Sequence, residues 1–230
     1  MDLDKYITFG NDILGVKFDN IDLLVTAFTH RSYLNEHKKT VSEHNERLEF
    51  LGDAVLELVV TEYLYNNFSE PEGILTNWRS ALVRTESISA AATKLGYMDL
   101  MRLSRGEKRG SDRAKQQIMA NAFEAVIGAV YLDKGYEPAK KLITDHILST
   151  LEGILKTGSW MDPKSRLQEL AQSLESQTPV YKVMSEEGPD HDKTFVIGVY
   201  IGDKLYGKGS GPSKQAGQQS AAESALKKYQ

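Results

Sequence analysis

Along residues 1–152 the apolar positions keep helical spacing. Ile21, Leu23, Leu24, Val25, Ala27 and Phe28 open the pattern, two stretches around Glu49 and Glu124 continue it, and Ala139 to Leu155 closes it. The spacing predicts helix after helix. Gly106 to Asp112 is charged, glycine-bearing and aperiodic, and reads as a mobile loop. Gly153, Gly158 and Ser159 mark a short linker over 153–161, after which the period changes. Asp162 suits an N-cap and Pro163 a first helical position, which predicts a helix to about Leu174. Alternation follows: Tyr181 and Val183, then Phe195, Ile197, Val199 and Ile201 on one face, with Gly202-Asp203 as a two-residue hairpin turn. A last helix begins near Ser213, carrying Ala222, Ala225, Leu226 and Tyr229 at i, i+3, i+4 and i+7. The chain therefore reads as multidomain, an all-α domain over 1–152 followed by an α+β domain of order α-β-β-β-α over 162–230. The glycines at 207, 209 and 211 read as turn residues, since the Gly-Lys-Ser/Thr ending of a phosphate-binding loop is missing.

Charge enters this pattern unevenly. In Asn45-Glu46-Arg47-Leu48-Glu49-Phe50-Leu51-Gly52-Asp53, three carboxylates stand at i, i+3 and i+7, so Glu46, Glu49 and Asp53 share one helix face. Leu48, Leu51, Val55, Leu58 and Val59 form the apolar stripe beside them. Stacked like charges repel by roughly 4 kcal/mol per pair at about 4 Å and an effective dielectric near 20. Such a face is either plainly solvated or holds something cationic. The oxygen-only ligand set favours a hard divalent ion, Mg²⁺ or Mn²⁺. A second helix, Gln117 to Leu132, is apolar nearly all round; Glu124 is its only charge, with Asn121 one turn earlier. A carboxylate there is paired, protonated or bound to metal. Ala120, Ala122, Ala125, Gly128 and Ala129, with Gly52 and Ala54 on the first helix, allow the two to pack closely. Glu49, Asp53, Asn121 and Glu124 then converge on one metal site. The alternative is a buried Glu124 satisfied by Arg47 or Arg84.

At 230 residues and 40% hydrophobic, the chain can build one large core or two smaller ones. The absence of cysteine excludes disulfides and thiolate metal sites and agrees with a reducing cytoplasm. Five histidines without paired helical spacing speak against zinc. No apolar run approaches a membrane span, and Met1-Asp2-Leu3-Asp4-Lys5 lacks the features of a signal peptide. The net charge of −4 is awkward for a partner of a polyanion. Residues 1–160 hold 19 Lys/Arg against 23 Asp/Glu, and residues 161–230 hold nine of each. Basic charge is concentrated in Arg102, Arg105, Lys108, Arg109, Arg113 and Lys115, opposed by Glu107 and Asp112.

The segment Asn45 to Asp53 resembles the signature of the bacterial ribonuclease III family, Mg²⁺-dependent endonucleases of double-stranded RNA. Thr29-His30-Arg31-Ser32-Tyr33 resembles that family's upstream segment, Ala120 to Leu132 its second catalytic helix, and Asp162 to Tyr229 its double-stranded-RNA-binding domain. The resemblance implies that Glu49, Asp53, Asn121 and Glu124 are metal ligands, that Asp53 and Glu124 are most critical for catalysis, and that Glu46 supports the acidic patch. It further implies a homodimer in which Phe50 inserts into a socket on the partner subunit. Metal-activated water then cuts both strands and leaves 5′-phosphate and 3′-hydroxyl ends with a short 3′ overhang. Precursors of ribosomal RNA and some mRNAs are the implied substrates. One position departs from the family: where aspartate is most frequent, this chain has Asn121, which can offer a carbonyl oxygen but no charge. Two rival readings remain, a duplex-RNA-binding protein with weak or no cleavage because of Asn121, and a metal-dependent hydrolase of small phosphoesters.

For the second domain the resemblance implies recognition of A-form duplex by shape, phosphates and 2′-hydroxyls. Gln168 and Gln172 offer amides from the first helix, which otherwise reads as an ordinary solvated face. His191 and Lys193, in the loop Gly188 to Lys193, enter the next minor groove, and Ser213 and Lys214 meet phosphates at the start of the last helix. Asp190 and Asp192 beside His191, and Gln215 in place of a second lysine, weaken phosphate attraction.

Overall fold

The computed structural model describes residues 3–189 and 193–229 and divides into two compact units, one ending at Ile154 and the other beginning at Leu155. The first unit is helical: α1 (Asp4–Thr8), α2 (Ile21–Ala27), α3 (Arg31–Glu36), α4 (Glu46–Asn67), α5 (Glu72–Val83), α6 (Thr85–Lys94), α7 (Asp112–Lys134), α8 (Tyr136–His146) and the first residues of α9 (Leu151–Thr157). Side-chain caps open α2 and α7, where Asn20 accepts from the Asp22 N–H and Ser111 from the Ala114 N–H. The stretch expected as a loop before α7 contains a tight turn over Glu107–Arg109, and Asp112 already belongs to the helix. Helix α9 likewise runs into the expected linker. Its Leu151 and Ile154 are buried, and Gly153 sits in open space where its lack of a side chain costs no packing.

Helices α4 and α7 form the centre. Eleven positions of α7 are buried, against seven of α4. Their backbones touch: a Cβ on Gly52 would lie 1.7 Å from the Glu124 carbonyl oxygen, and one on Gly128 would lie 2.3 Å from that of Leu48. Ala54, also expected at this contact, is exposed instead. The apolar stripe of α4 is shifted as well. Leu48, Val55 and Val59 are buried together with Leu56, Val60 and Leu64, whereas Leu51 is half-buried and Leu58 is 58% exposed. On a 100° per residue wheel, 51 and 58 fall on the flank opposite the carboxylates. Beside this pair, Tyr6, Phe9, Phe28, Tyr97 and Phe123 pack as tilted, edge-to-face and stacked rings, and Tyr6 donates to the Leu100 carbonyl at 3.0 Å.

The second unit consists of α10 (Pro163–Glu175), an antiparallel sheet of β1 (Val180–Glu187), β2 (Thr194–Ile201) and β3 (Lys204–Gly211) in that order, and α11 (Lys214–Leu226). Asp162 caps α10 by accepting from the Lys164 and Ser165 N–H groups. Gly202 takes φ +59° at the β2–β3 turn. Ile197, Val199 and Ile201 face Leu167 and Ala171 of α10 and Ala221, Ala222, Ala225 and Leu226 of α11. Val183 pairs with Ile197 and shares its face as expected, yet it is 44% exposed on an edge strand, just before the β1 register shifts. The glycines at 207, 209 and 211 are not turn residues. They lie within β3, facing α11, where added Cβ atoms would meet Ala221 O at 2.5 Å, Ala221 N at 2.1 Å and the Ala216 Cβ at 2.7 Å. Glu175, at the end of α10, accepts hydrogen bonds from the hydroxyls of Tyr206 and Tyr229 and ties β3 and the chain beyond α11 to the helix.

Candidate active site and nucleic-acid interface

The contact between Gly52 and α7 decides which side chains meet. Gly52 lies between Glu49 and Asp53, and Glu124 stands one turn before Gly128, so glycine-to-backbone contact brings those carboxylates into one field. Glu124 is half-buried and its carboxyl is pushed up to about 8, first by burial and then by the charges of Asp53 and Glu49. Neither Arg47 nor Arg84 is among the groups acting on it. Burial raises Glu49 as well, followed by Glu46 and, more weakly, Asp53; a hydrogen bond with Asn121 opposes them. Asp53 and Glu46 are exposed. Glu46 stands at the rim, its carboxylate 3.7 Å from Arg31 and 3.9 Å from His44 Nδ1.

Asn121 lies on α7 one turn from Glu124 and Gln117. Its Oδ1 accepts from Gln117 Nε2 at 2.7 Å, and its side chain opposes the rise of the Glu49 carboxyl. Gln117 was not among the expected site residues; its i, i+4 spacing from Asn121 was the signal for it. Among the described residues, no three acidic or histidine side chains are drawn in tightly enough to enclose an ion. The carboxylates nonetheless act on one another, as the raised Glu49 and Glu124 carboxyls show. Three carboxylates beside an amide suit a hard divalent cation in charge and in ligand chemistry. On the electrostatics and the donor set, the residues fit such an ion.

The segment 29–33 acts next to this site, not in it. His30 Nδ1 accepts from the Ser32 N–H and caps α3, while the Ser104 N–H donates to Ser32 Oγ. Arg102 donates to Thr29 Oγ1 at 3.0 Å and covers the Tyr33 ring at 4.4 Å. The Asn45 N–H donates to the Thr29 carbonyl, so the same segment anchors the residue that precedes α4.

In the second unit, Gln168 and Gln172 are exposed one turn apart on α10, and Thr178 Oγ1 lies 3.5 Å from the side-chain Oε1 of Gln172. Ser213 caps α11 by accepting from the Ala216 N–H. Lys193 and Lys214 each stand 3.7 Å from Glu186, a partner the sequence reading missed, and Lys214 also lies over the Phe195 ring. His191 falls outside the described residues. Lys164 donates to Gln218 at 2.7 Å and covers the Tyr181 ring, joining α10 to α11 beside Gln168.

Comparison with known proteins bears on both units. Residues 20–151 match the Ribonuclease-III-like family model, and residues 163–229 match the double-stranded RNA binding motif. A ribonuclease 3 of Enterococcus faecalis is 44% identical over 214 residues, covering 93% of each chain. A ribonuclease 3 of Oceanobacillus iheyensis is also 44% identical, over 217 residues and 93% of each chain. The nuclease domain of a ribonuclease III from Campylobacter jejuni superimposes with a TM-score of 0.55 at 39% identity, covering 62% of this chain and 99% of that one; its description concerns a region involved in dimer formation. No described helix is long and apolar enough to cross a membrane. A helical nuclease unit carrying the acidic pair of helices, followed by a duplex-RNA-binding unit, places this chain in the ribonuclease III family of endoribonucleases.

Proposed function

We propose that this chain is a Mg²⁺-dependent endoribonuclease that works as a homodimer and hydrolyses phosphodiester bonds in both strands of double-stranded RNA. Residues 1–152 are the endonuclease domain, 153–161 the connection and 162–230 the duplex-binding domain. The observation that carries this reading is the field shared by Glu49, Asp53 and Glu124 across the glycine contact, in a member of this family. Those three side chains, with the Asn121 amide, hold the cation, Mg²⁺ or in its place Mn²⁺, and cleavage depends most on Asp53 and Glu124. When bound, the ion supplies Lewis-acid chemistry and neutralises charge at the scissile phosphate. Glu124, half-buried between two other acids, needs positive charge nearby to stay ionised at neutral pH. Exposed Asp53 opens the site toward an RNA backbone, and Glu46 extends the acidic rim. Water adds to the phosphorus, the bond to the 3′-oxygen breaks, and the ends are 5′-phosphate and 3′-hydroxyl.

Phe50 supports the dimer. It is 81% exposed on α4, and Leu58 and Tyr65 follow it on the outer side of the same helix, so their burial awaits a second copy. Gln168, Gln172, Ser213 and Lys214, with Lys193 and His191, meet duplex backbone and 2′-hydroxyls. Ribosomal RNA precursors and some mRNAs, in the cytoplasm, are the substrates this family membership favours. One observation favours a second reading, a duplex-RNA-binding protein with weak cleavage: the Asn121 oxygen is engaged by Gln117. A labelled RNA hairpin incubated with Mg²⁺, Ca²⁺ or chelator separates the two. Cleavage only with Mg²⁺, leaving 5′-phosphate ends, supports the first; retention of the hairpin without cleavage in all three supports the second.

A further inference from the structure

Lys164, in the first turn of α10, has no part in the RNA contacts above. It stands one turn before Gln168 and two before Gln172, so the three side chains follow one another along a single face of the helix. That face ends in a cleft between α10 and α11. Lys164, Ser165 and Gln168 line it from one helix, and Gln215 and Gln219 from the other. The cleft holds about 440 Å³, which admits a phosphate group. Among its lining residues the one acid is Asp162, whose carboxylate caps α10 by accepting from the N–H groups of Lys164 and Ser165 at 3.0 and 3.2 Å. Two neutral groups hold the Lys164 ammonium: it donates to Gln218 Oε1 of α11 at 2.7 Å and lies 5.2 Å from the centre of the Tyr181 ring.

We infer that Lys164 is a phosphate-binding residue of the second unit, supplying across the cleft a positive charge that α11 itself lacks beyond Lys214. Lys214 is the only cation of α11, and it stands 3.7 Å from the Glu186 carboxylate. The polar partner of Lys164 is a neutral amide. An ammonium carries three donor hydrogens; Gln218 takes one, and two are left for an anion in the cleft. The inference rests on the reading of Gln168 and Gln172 as facing a minor groove of the duplex, and it deepens that reading. Where two amides meet the 2′-hydroxyls and base edges of the groove, a lysine next on the same face meets the phosphates at its border.

Retention of a labelled RNA hairpin by the full-length protein in chelator, across a salt series, tests the role without recourse to cleavage. Lys164→Gln keeps an amide able to bond Gln218 and removes the charge. It is expected to raise the Kd about fivefold at low salt and to lower the slope of log Kd against log salt by about one, as loss of one phosphate contact does. Lys164→Gln combined with Gln218→Lys returns the charge from the other wall of the cleft and is expected to restore the slope. A lysine that only braces α10 against α11 would leave the slope of Lys164→Gln native, and that result overturns the inference. A combined variant as shallow as the single one overturns it too. Gln168→Ala with Gln172→Ala tests the underlying reading. This pair is expected to raise the Kd about tenfold, as loss of two hydrogen bonds does, with the slope unchanged, because amides neutralise no phosphate. If the unsubstituted protein does not retain the hairpin, or the glutamine pair is retained as tightly as before, the reading of α10 as an RNA face fails and the inference with it. If the glutamine pair weakens retention while Lys164→Gln keeps the native slope, only the role of Lys164 falls.

Discussion

Both units seat a helix against a neighbouring backbone, and both use glycine to do it. In the first, Gly52 and Gly128 bring α4 and α7 into contact; in the second, Gly207, Gly209 and Gly211 bring β3 against α11. What stands beside the glycines differs. Glu49, Asp53 and Glu124 flank the helical contact within one turn, whereas the β3 glycines are flanked by Leu205, Tyr206, Lys208 and Ser210, and the exposed candidates for RNA binding lie elsewhere on α10 and at the start of α11. Close approach in the first unit sets the spacing of carboxylates that act on one another. In the second it sets only the thickness of a platform. The outer sides differ too: α4 presents Phe50 at 81% and Tyr65 at 78% exposure, while the exposed positions of α11 are polar or charged.

The largest effect is expected from closing the first contact. Gly52→Ala puts a methyl 1.7 Å from the Glu124 carbonyl, a backbone atom that cannot swing aside. It should cost at least about 4 kcal/mol, above the usual range for overpacking, and abolish cleavage. Denaturant unfolding of the isolated variant gives the number; near-normal stability would show that the two helices have slack. Gly209→Ala, whose methyl would lie 2.1 Å from Ala221 N, should instead abolish RNA retention in a gel shift while the first unit still unfolds at its normal midpoint. Loss of both units together would erase the contrast.

Next comes the outer side of α4. Phe50→Ala should weaken dimerisation by about 3 kcal/mol, as truncation of a buried aromatic does, with little change in the stability of the monomer, where Phe50 is exposed. Sedimentation across a concentration series reads the first quantity and thermal unfolding of dilute protein the second. An unchanged association constant would remove α4 from the dimer interface.

The acidic contact should also make metal-free stability depend on pH. Glu124 is raised in the folded state from 4.5 to about 8. An acid with a raised folded pKa binds its proton more tightly when folded, so folding is favoured below about pH 4.5 and that advantage is lost as pH climbs to about 8. After allowance for solvent screening the loss is about 2 kcal/mol. Glu124→Gln should flatten the profile between those limits, and Mg²⁺ should flatten it for the unsubstituted protein. A profile as steep in the variant would place the titration elsewhere. The smallest effect belongs to the second unit: Glu186→Gln removes the carboxylate that Lys193 and Lys214 share and should tighten duplex binding by about 0.5 kcal/mol at low salt, an advantage that fades as salt rises.

How far such contrasts were legible in the sequence follows from the range of each interaction. The spacing of Glu46, Glu49 and Asp53 is a local property of one helix, and the apolar wrap around Glu124 marks a central helix, so the acidic pair could be read directly. The sense of the Gln117–Asn121 hydrogen bond could not, because helical spacing brings the two side chains together without saying which amide donates. Glycine at every second position, 207, 209 and 211, has strand period, yet glycine's preference for turns outweighed it. Val183 has the expected face, opposite Ile197, but alternation does not say that an edge strand leaves it 44% exposed. Glu186 pairs with Lys193 and Lys214 only once β1 and β2 are in register and α11 is packed on the sheet, and nothing local announces such a meeting.

That meeting has a kinetic side. A polyanion reaching this corner of the second unit finds two lysines that share one carboxylate, and a phosphate that draws on either competes with Glu186. Docking there is an exchange of partners, and so is departure, because the displaced carboxylate stays beside the lysines and competes to take them back. Such a competitor shortens the lifetime of the complex without slowing long-range encounter, since the net charge felt from afar is the same whether the ions are paired or apart. For a protein that must leave one duplex before acting on the next, Glu186 sets a ceiling on residence time.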